Sequence, residues 1–139
     1  MYNFILSNLA KISRKKKEGP SRKLFLNNNE LLKINNLNSF DKEINIDISS
    51  NIKKKIENNL DDFINENLIV KDKEVLISNN MKYLHYVIEI GKHKFHDDLE
   101  IIISKKKIKL RSSSRVGVLD NGVNNNRINF ILNNINLYS

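Results

Sequence analysis

The last third of the chain combines three acidic residues with three arginines at short spacing. The members of this set are Asp97, Asp98, Glu100, Arg111, Arg115 and Arg127. A guanidinium group can donate two parallel hydrogen bonds to a carboxylate or a phosphate, which the ammonium group of lysine cannot do. The chain uses 19 lysines and only five arginines, so three arginines within residues 111–127 indicate a site that requires this geometry.

Small and polar residues between these positions extend the predicted site. Serine hydroxyls can complete its hydrogen bonds, Gly117 and Gly122 can adopt positive φ or allow close backbone approach, and Asp120 or Asn124 can cap the following helix. The predicted structural or anion-binding cluster therefore comprises Asp97, Asp98, Glu100, Arg111, Ser112, Ser114, Arg115, Gly117, Asp120, Gly122, Asn124 and Arg127.

Three interpretations of this cluster stay open at the level of sequence. It can be an internal network of arginines and carboxylates that holds a junction of strand, loop and helix together. It can instead bind an anion or a phosphate group through Arg111, Arg115, the serines and the positive end of the helix. The third interpretation is a docking surface for a partner protein, which is compatible with the first.

Catalytic and metal-binding chemistry is not predicted. Asp97 and Asp98 are adjacent on a predicted strand, so their side chains point to opposite faces and cannot form a facing acid–base pair. We interpret His85, His93 and His96 as solvated residues beside strands. The sequence has no cysteine and no glycine-rich phosphate loop, and no serine lies in a nucleophile-elbow context. We therefore expect a protein without catalytic residues, metal or cofactor, and not an enzyme.

Composition gives weak guidance about partners. The formal net charge is +8, which favours acidic partners in general. However, the chain holds 24 Asn, 20 Ile and 19 Lys but only 4 Gly, 1 Ala and 1 Pro, a bias that A- and T-rich codons alone would produce. Nucleic-acid binding is not favoured, because the sequence offers no aromatic platform on which bases could stack. No apolar run approaches the roughly 20 residues of a membrane-spanning helix.

Hydrophobic periodicity predicts a strand and a helix in the middle of the chain. Residues 43–48 alternate apolar and polar side chains, as a half-buried strand does. Ser49 or Ser50 can then cap a helix. That helix carries an apolar stripe at three- and four-residue spacing. The members of the stripe are Ile52, Ile56, Leu60, Phe63 and Ile64.

The remaining pattern predicts further strands and a last helix. The predicted strands are Leu68–Ser78, Tyr83–Ile90, Lys94–Ser104 and Lys107–Ser112. The predicted helix is Val123–Leu137, with Val123, Arg127, Phe130, Ile131, Asn134 and Ile135 at helical spacing. Because the connections between strands are short, neighbouring strands must be antiparallel. The predicted fold class is α+β, an antiparallel meander sheet of four to five strands with two helices packed on one face.

The chain divides into a predicted extension and a predicted domain. Residues 1–29 form a basic N-terminal extension, and residues 30–139 form a single α+β domain. The extension carries the run Arg14–Lys17 and no acidic residue before Glu18, which fits a targeting segment. The other interpretation is an arm that lies across a partner and orders on contact.

The segment from Phe95 to Arg127 resembles the domain-of-unknown-function family 1499. The resemblance rests on Phe95-His96-Asp97-Asp98-Leu99-Glu100, on Arg111-Ser112-Ser113-Ser114-Arg115-Val116-Gly117, and on Asp120-Asn121-Gly122-Val123-Asn124 with Arg127. It is looser from Asp41 onward. Two departures are visible: the cysteine-containing Pro/Ser-rich segment of family members has no counterpart here, and Val118 and Leu119 stand where members often carry an aromatic residue.

The resemblance also implies a setting. Family members occur in bacteria and in plastid-bearing organisms, which implies an organelle, with a plastid favoured over a mitochondrion. We expect a non-catalytic accessory or assembly subunit of a thylakoid-associated, photosynthesis-related complex, peripheral to the membrane and without a transmembrane segment of its own. Its partners would be protein subunits, which can be membrane-embedded. The alternative is a domain that binds a small anion, a phosphate or a lipid headgroup through the arginine cluster.

Overall fold

A computed structural model describes residues 18–19, 21–26, 39–116 and 122–135. It contains five strands and two helices in these residues. In chain order they are β1 (Ser39–Asn45), α1 (Ser50–Asn67), β2 (Ile69–Ser78), β3 (Met81–Ile90), β4 (Phe95–Ile103), β5 (Lys107–Ser114) and α2 (Val123–Asn134).

The five strands form one antiparallel sheet in the order β1-β5-β4-β3-β2. Strands β2 to β5 follow one another as a meander because tight turns connect them. Asn79 and Asn80 turn β2 into β3 with φ values of 40° and 65°, a region that asparagine tolerates better than most residues. Strand β1 pairs with β5 and so forms the edge of the sheet that lies opposite β2. The predicted α+β class, with one antiparallel sheet and two helices, is confirmed.

The first strand begins and ends earlier than residues 43–48, so the predicted bounds are wrong. The alternation continues past β1 because the following residues still contact the sheet. Ile46 N donates to Lys106 O at 2.9 Å and Ile48 N to Lys105 O at 2.8 Å. Ile48 is buried, so the apolar pattern reports contact with the β4–β5 turn rather than strand pairing.

Helix α1 begins as its sequence predicts. Ser49 is the N-cap, and its side chain accepts a hydrogen bond from Ile52 N at 3.4 Å. The predicted stripe is buried from Ile56 onward through Leu60 and Ile64, whereas Ile52 itself is 39 % exposed. Three turns of the helix therefore supply the apolar contact that stabilises it.

One hydrophobic core joins both helices to alternate residues of the sheet. Its fully buried strand residues include Leu84, Tyr86, Ile88, Leu99, Ile101, Ile103, Ile108 and Leu110. Its helix residues include Ile56, Leu60, Ile64, Ile128 and Ile131. We call the face of the sheet that carries these strand residues the core face, and the other one the opposite face.

Helix α2 is oriented differently from the predicted pattern. Val123 and Phe130 are 45 % and 46 % exposed, although both belong to the predicted set. The buried residues are Asn124, Arg127, Ile128 and Ile131, of which Arg127 and Ile131 belong to the predicted set. The orientation differs because two polar residues of α2 find polar partners on the sheet, as described below.

Candidate functional site

The predicted cluster is divided between the two faces of the sheet. Asp97 and Asp98 are neighbours on β4, where successive side chains point to opposite faces. Asp97 pairs with Ser114 of β5 on the core face, and Asp98 pairs with Ser113 on the opposite face. The first residues of β4 therefore contribute to two separate polar clusters, one on each face of the sheet.

The core-face cluster consists of Asp97, Ser112, Ser114, Asn124 and Arg127, all of them buried. Arg127 Nη1 lies 2.8 Å from Asp97 Oδ2 and donates to Ser112 Oγ at 2.7 Å. Asn124 accepts from Ser112 at 2.7 Å and donates to Ser114 at 2.9 Å. These contacts fix the first turns of α2 against the ends of β4 and β5.

The electrostatic state of Asp97 is dominated by burial. Burial raises the pKa of Asp97, and the positive charge of Arg127 opposes this change without cancelling it. The interaction of Asp97 with Arg127 therefore offsets only part of the free-energy cost of removing the Asp97 carboxylate from water. Such a pair specifies geometry more than it adds free energy of folding.

On the opposite face, Asp98 is the acceptor at the centre of a second cluster. Arg115 donates to both of its oxygens, from Nε at 2.9 Å and from Nη2 at 2.8 Å. His85 Nε2 lies 2.6 Å from Oδ1, and Ser21 Oγ and Arg22 N donate at 3.0 and 2.8 Å. Burial alone would raise the pKa of Asp98, but the hydrogen bonds from Arg115, His85 and Arg22 outweigh it and hold the pKa below its ordinary value.

Glu100, two residues along β4, is the second acceptor on this face. Its carboxylate accepts from Leu24 N at 2.9 Å, from Phe25 N at 3.0 Å and from Tyr83 Oη at 2.8 Å. The residue is completely buried. Burial raises the pKa of Glu100 despite these three hydrogen bonds, and burial together with the Glu100 charge raises the pKa of Tyr83.

The two carboxylates bind a segment from the start of the chain. Residues 21–26, which we call the strap, lie across the opposite face, where Asp98 and Glu100 accept hydrogen bonds from three strap amides. Leu24 is buried at 3 % exposure, and Lys23 Nζ donates to Glu74 at 3.1 Å. Just before the strap, the carboxylate of Glu18 contacts both the backbone N–H and Nδ1 of His96. Residues 18–26 of the predicted extension thus contact the sheet of the domain, apart from the undescribed position 20.

Arg111 is the third predicted arginine and lies beside the strap. It is buried, and its register partners are Glu100 on β4 and Asp41 on β1. Its Nη1 lies 3.9 Å from Asp41 Oδ1. Arg22 Nη1 donates to Ser114 O at 2.9 Å, and burial together with the nearby charge of Arg111 lowers the pKa of Arg22. The opposite-face cluster is therefore Ser21, Arg22, Tyr83, His85, Asp98, Glu100, Arg111 and Arg115.

Several predicted residues have a different role or lie outside the described chain. Gly117 and Asp120 are not among the described residues. Gly122 is the N-cap of α2 and has a φ of 81°, which is the left-handed region that favours glycine. The prediction that Asn124 caps this helix is wrong, because its side chain is buried against Ser112 and Ser114.

The sequence pattern missed the strap and the aromatic side chains beneath it. His85 is buried, so its interpretation as a solvated residue is wrong. Tyr83 and His85 do share a face with Asp98 and Glu100 in the alternation of β3 and β4. That shared face is the signal that could have found them.

The described residues hold no group of three or more His, Cys, Asp or Glu side chains arranged to bind a metal ion. No described helix is both long and apolar enough to cross a membrane. Within the described chain, the geometry shows two polar clusters that connect chain segments to each other.

Comparison with known proteins gives one match. A family model described as "protein of unknown function (DUF1499)" matches residues 26–135. No curated protein matches the chain. No solved structure matches it either.

Proposed function

Because the chain belongs to this family of unknown function, its role has to be inferred from its own residues, and we propose that it is a non-catalytic accessory or assembly subunit of a larger protein complex. The proposal places the complex in an organelle and takes a plastid, at the thylakoid membrane, as the first compartment to test. That compartment follows from the sequence resemblance alone.

The observation that supports a non-catalytic role is the way the acidic and basic groups are used. Asp98 accepts from Arg115, His85 and the strap, and Glu100 accepts from two strap amides and Tyr83. An acid, base or nucleophile in an enzyme must be able to reach a substrate. These groups are buried and engaged by the chain itself, so their evident contribution is to connect the strap, the sheet and α2.

Exposed apolar side chains support a role in protein contacts. Ile77 on β2 is 75 % exposed and Ile69 is 60 % exposed, and Phe130 on α2 is nearly half exposed. A small domain whose buried charged residues contact one another and whose surface carries apolar positions suits an assembly subunit.

Native electrophoresis and sedimentation of the full chain after mild extraction test the proposal. We expect a particle much heavier than two copies of the 16.2 kDa chain. The same extract treated with a denaturing detergent is the control and should release the free chain. Migration as a monomer or a dimer under mild extraction would contradict the proposal.

One observation favours a second candidate, the binding of a phosphate-bearing anion. Arg22 and Arg111 belong to the opposite-face cluster, where burial and the charge of Arg111 lower the pKa of Arg22 against the opposing charges of Asp98 and Glu100, and an anion bound beside the two guanidinium groups would add favourable charge. Titration with inorganic pyrophosphate should then show salt-dependent binding that weakens in Arg111→Lys. Arg127→Lys, on the core face, is the matched control. Absence of binding at low salt would exclude this candidate.

A further inference from the structure

The outer edge of β2 is long and carries exposed apolar residues. β2 spans 10 residues at one end of the sheet, and within the described chain no strand pairs with its outer side. Ile69, Val75, Leu76 and Ile77 are 60, 40, 44 and 75 % exposed. An edge of this kind is a template on which a further strand can pair.

A β-bulge makes the side-chain pattern of β2 symmetric. The register with β3 shifts between Val70 and Asp72, so Lys71 is an extra residue and shares one position with Asp72. When Lys71 and Asp72 are counted as one position, the pattern is the same on both sides of Lys73. On each side a charged position comes first and two apolar positions follow. These residues are Ile69, Val70, Lys71 with Asp72, Lys73, Glu74, Val75 and Leu76.

The faces of these positions are symmetric about Lys73 as well. Val70, Lys73 and Val75 pair with the core-face residues Ile88, Tyr86 and Leu84 of β3. The remaining positions, Ile69, Asp72, Glu74 and Leu76, pair with residues of the opposite face. Two antiparallel strands related by a two-fold axis normal to the sheet keep each face on its own side. Only positions on the same face can therefore be opposite each other.

We propose that two copies of the chain associate by antiparallel pairing of their β2 strands about a two-fold axis at Lys73. In this register Val70 lies opposite Val75 of the second copy, and Ile69 lies opposite Leu76. The pairing extends the five-stranded sheet of each copy into one continuous sheet. It also places Ile69 and Leu76, which are 60 and 44 % exposed, opposite each other, whereas Ile77 lies beyond the paired positions.

The charges of β2 fit the same register. Lys71 with Asp72 lies opposite Glu74 of the second copy, where the positive charge of Lys71 offsets the repulsion between Asp72 and Glu74. Within its own copy Lys71 lies 3.2 Å from Glu89, and Glu74 lies 3.1 Å from Lys23. The two Lys73 residues meet at the axis, and each is 2.7 Å from Asp61 of its own copy. The like charges at the axis are therefore matched within each subunit before the copies meet.

Other two-fold registers fit less well. An axis at Val75 would place Glu74 opposite Leu76 and Lys73 opposite Ile77. An axis at Leu76 would pair the apolar residues near the turn but leave Ile69 and Val70 without partners. Charged residues and bulges normally protect an edge from pairing with unrelated strands. In β2 the charged residues and the bulge lie in the middle of the strand. They therefore favour pairing with a second copy of β2 in the register centred on Lys73.

Sedimentation equilibrium of the purified full chain tests association, which is independent of any larger complex. We expect a dimer of twice 16.2 kDa, weakened at least tenfold in Leu76→Lys. Val123→Lys alters a residue of similar exposure, 45 %, on α2 and should leave dimerisation unchanged. A monomer at all concentrations, or equal weakening in both variants, would overturn the proposal.

A charge exchange separates the interface from general effects on folding. Lys71→Glu should weaken the dimer because two carboxylates then face Glu74 of the second copy. The double variant Lys71→Glu with Glu74→Lys restores opposite charges across the axis and should regain part of the affinity. If the double variant is weaker than both single variants, the register is wrong.

Cysteine cross-linking tests the register directly, because the natural chain contains no cysteine. Opposite residues of antiparallel strands have Cα atoms about 4.5–5.5 Å apart, within the range that a disulfide spans. Lys73→Cys should therefore form a disulfide-linked dimer by itself. Leu76→Cys should do so only when mixed with Ile69→Cys. Efficient self-linking of Leu76→Cys, without linking of Lys73→Cys, would overturn the proposed register.

Discussion

Asp97 and Asp98 are neighbours in sequence, are both buried and each lie beside an arginine. The pKa values of the two carboxyl groups nevertheless shift in opposite directions. Burial raises the pKa of Asp97, whereas hydrogen bonds lower that of Asp98 despite its burial. Arg127 Nη1, which lies 2.8 Å from Asp97, also donates to Ser112 and Asn124, and Ser114 adds a hydrogen bond to Asp97. Asp98 accepts a bidentate pair from Arg115 and three further contacts.

Burial therefore sets the free-energy penalty for a carboxylate, and the number and geometry of its hydrogen-bond donors decide whether that penalty is overcome. The core-face cluster mainly positions α2. The opposite-face cluster adds free energy of folding and holds the strap. Four predictions test this contrast between the two faces.

The largest effect is expected for Asp98→Asn. The substitution leaves Arg115 and His85 without their shared carboxylate, and removing one member of a buried pair costs about 3–5 kcal/mol. Denaturant unfolding measures this loss in the free energy of unfolding. The control is Asp47→Asn, because the pair of Asp47 with Lys106 is exposed and exposed ion pairs contribute little to stability. A loss near that of the control would contradict the role given to Asp98.

A smaller loss is expected for Asp97→Asn. The amide removes a charge that burial disfavours, and Arg127 keeps its contacts with Ser112 and Asn124. The expected cost is about 1–3 kcal/mol, typical of a lost hydrogen bond to a charged group. The same unfolding experiment measures it. Equal losses for the two aspartates would remove the distinction between the two faces.

Glu100→Gln is expected to act locally, on the strap. The amide cannot accept from Leu24 N, Phe25 N and Tyr83 Oη at the same time, because one of its two heteroatoms is a donor. Hydrogen exchange at the Leu24 and Phe25 amides should accelerate about 5- to 30-fold, equivalent to about 1–2 kcal/mol. Amides in the middle of β3 should change less. The matched control is Glu74→Gln at the exposed pair with Lys23; equal acceleration there would show that the buried carboxylate is not what holds the strap.

The smallest effect is the dependence of stability on pH near neutrality. The pKa values of Asp97 and Glu100 are raised, so the folded chain takes up these protons at a higher pH than the unfolded chain. Acidification from neutrality through the raised pKa values should therefore increase the free energy of unfolding. Below about pH 4, the ordinary pKa of aspartate, stability should fall again, because the unfolded chain then takes up a proton at Asp98 while the lowered pKa keeps the folded carboxylate charged.

Urea unfolding at a series of pH values measures both parts of this profile. Asp98→Asn should reduce the fall at acid pH but not abolish it, because hydrogen bonds from Lys73 and Tyr86 lower the pKa of Asp61 against the effect of its burial. Glu100→Gln should reduce the rise between neutrality and mild acid. A profile that falls continuously from neutrality would contradict the raised pKa values.

Much of the fold follows from local pattern. The alternation in residues 83–90 and 95–103 predicts β3 and β4, and the spacing of Ile56, Leu60 and Ile64 predicts α1. The same reasoning predicts that Asp97 and Asp98 point to different faces. Local pattern succeeds here because a half-buried strand or helix shows its own periodicity in the sequence.

The strap and the buried face of α2 could not be predicted in this way. Leu24 and Glu100 are 76 residues apart in the chain, and no periodicity near Glu100 shows that a distant segment covers it. Helix α2 buries Asn124 and Arg127 and exposes Phe130, because polar groups at the ends of β4 and β5 replace apolar contacts there. A rule that places apolar residues inside cannot recognise this exchange.

The pairing of β1 with β5 also sets an order of events during synthesis. Ser39 and Ser113 contact each other across 74 residues, so at roughly 5–20 residues per second β1 waits about 4–15 s for its neighbour to leave the ribosome. The hairpins of the meander close over short loops and can form earlier. In newly made chains the outer side of β5 is thus paired only after β5 itself has been synthesised, and until then β1 lacks its neighbouring strand in the sheet.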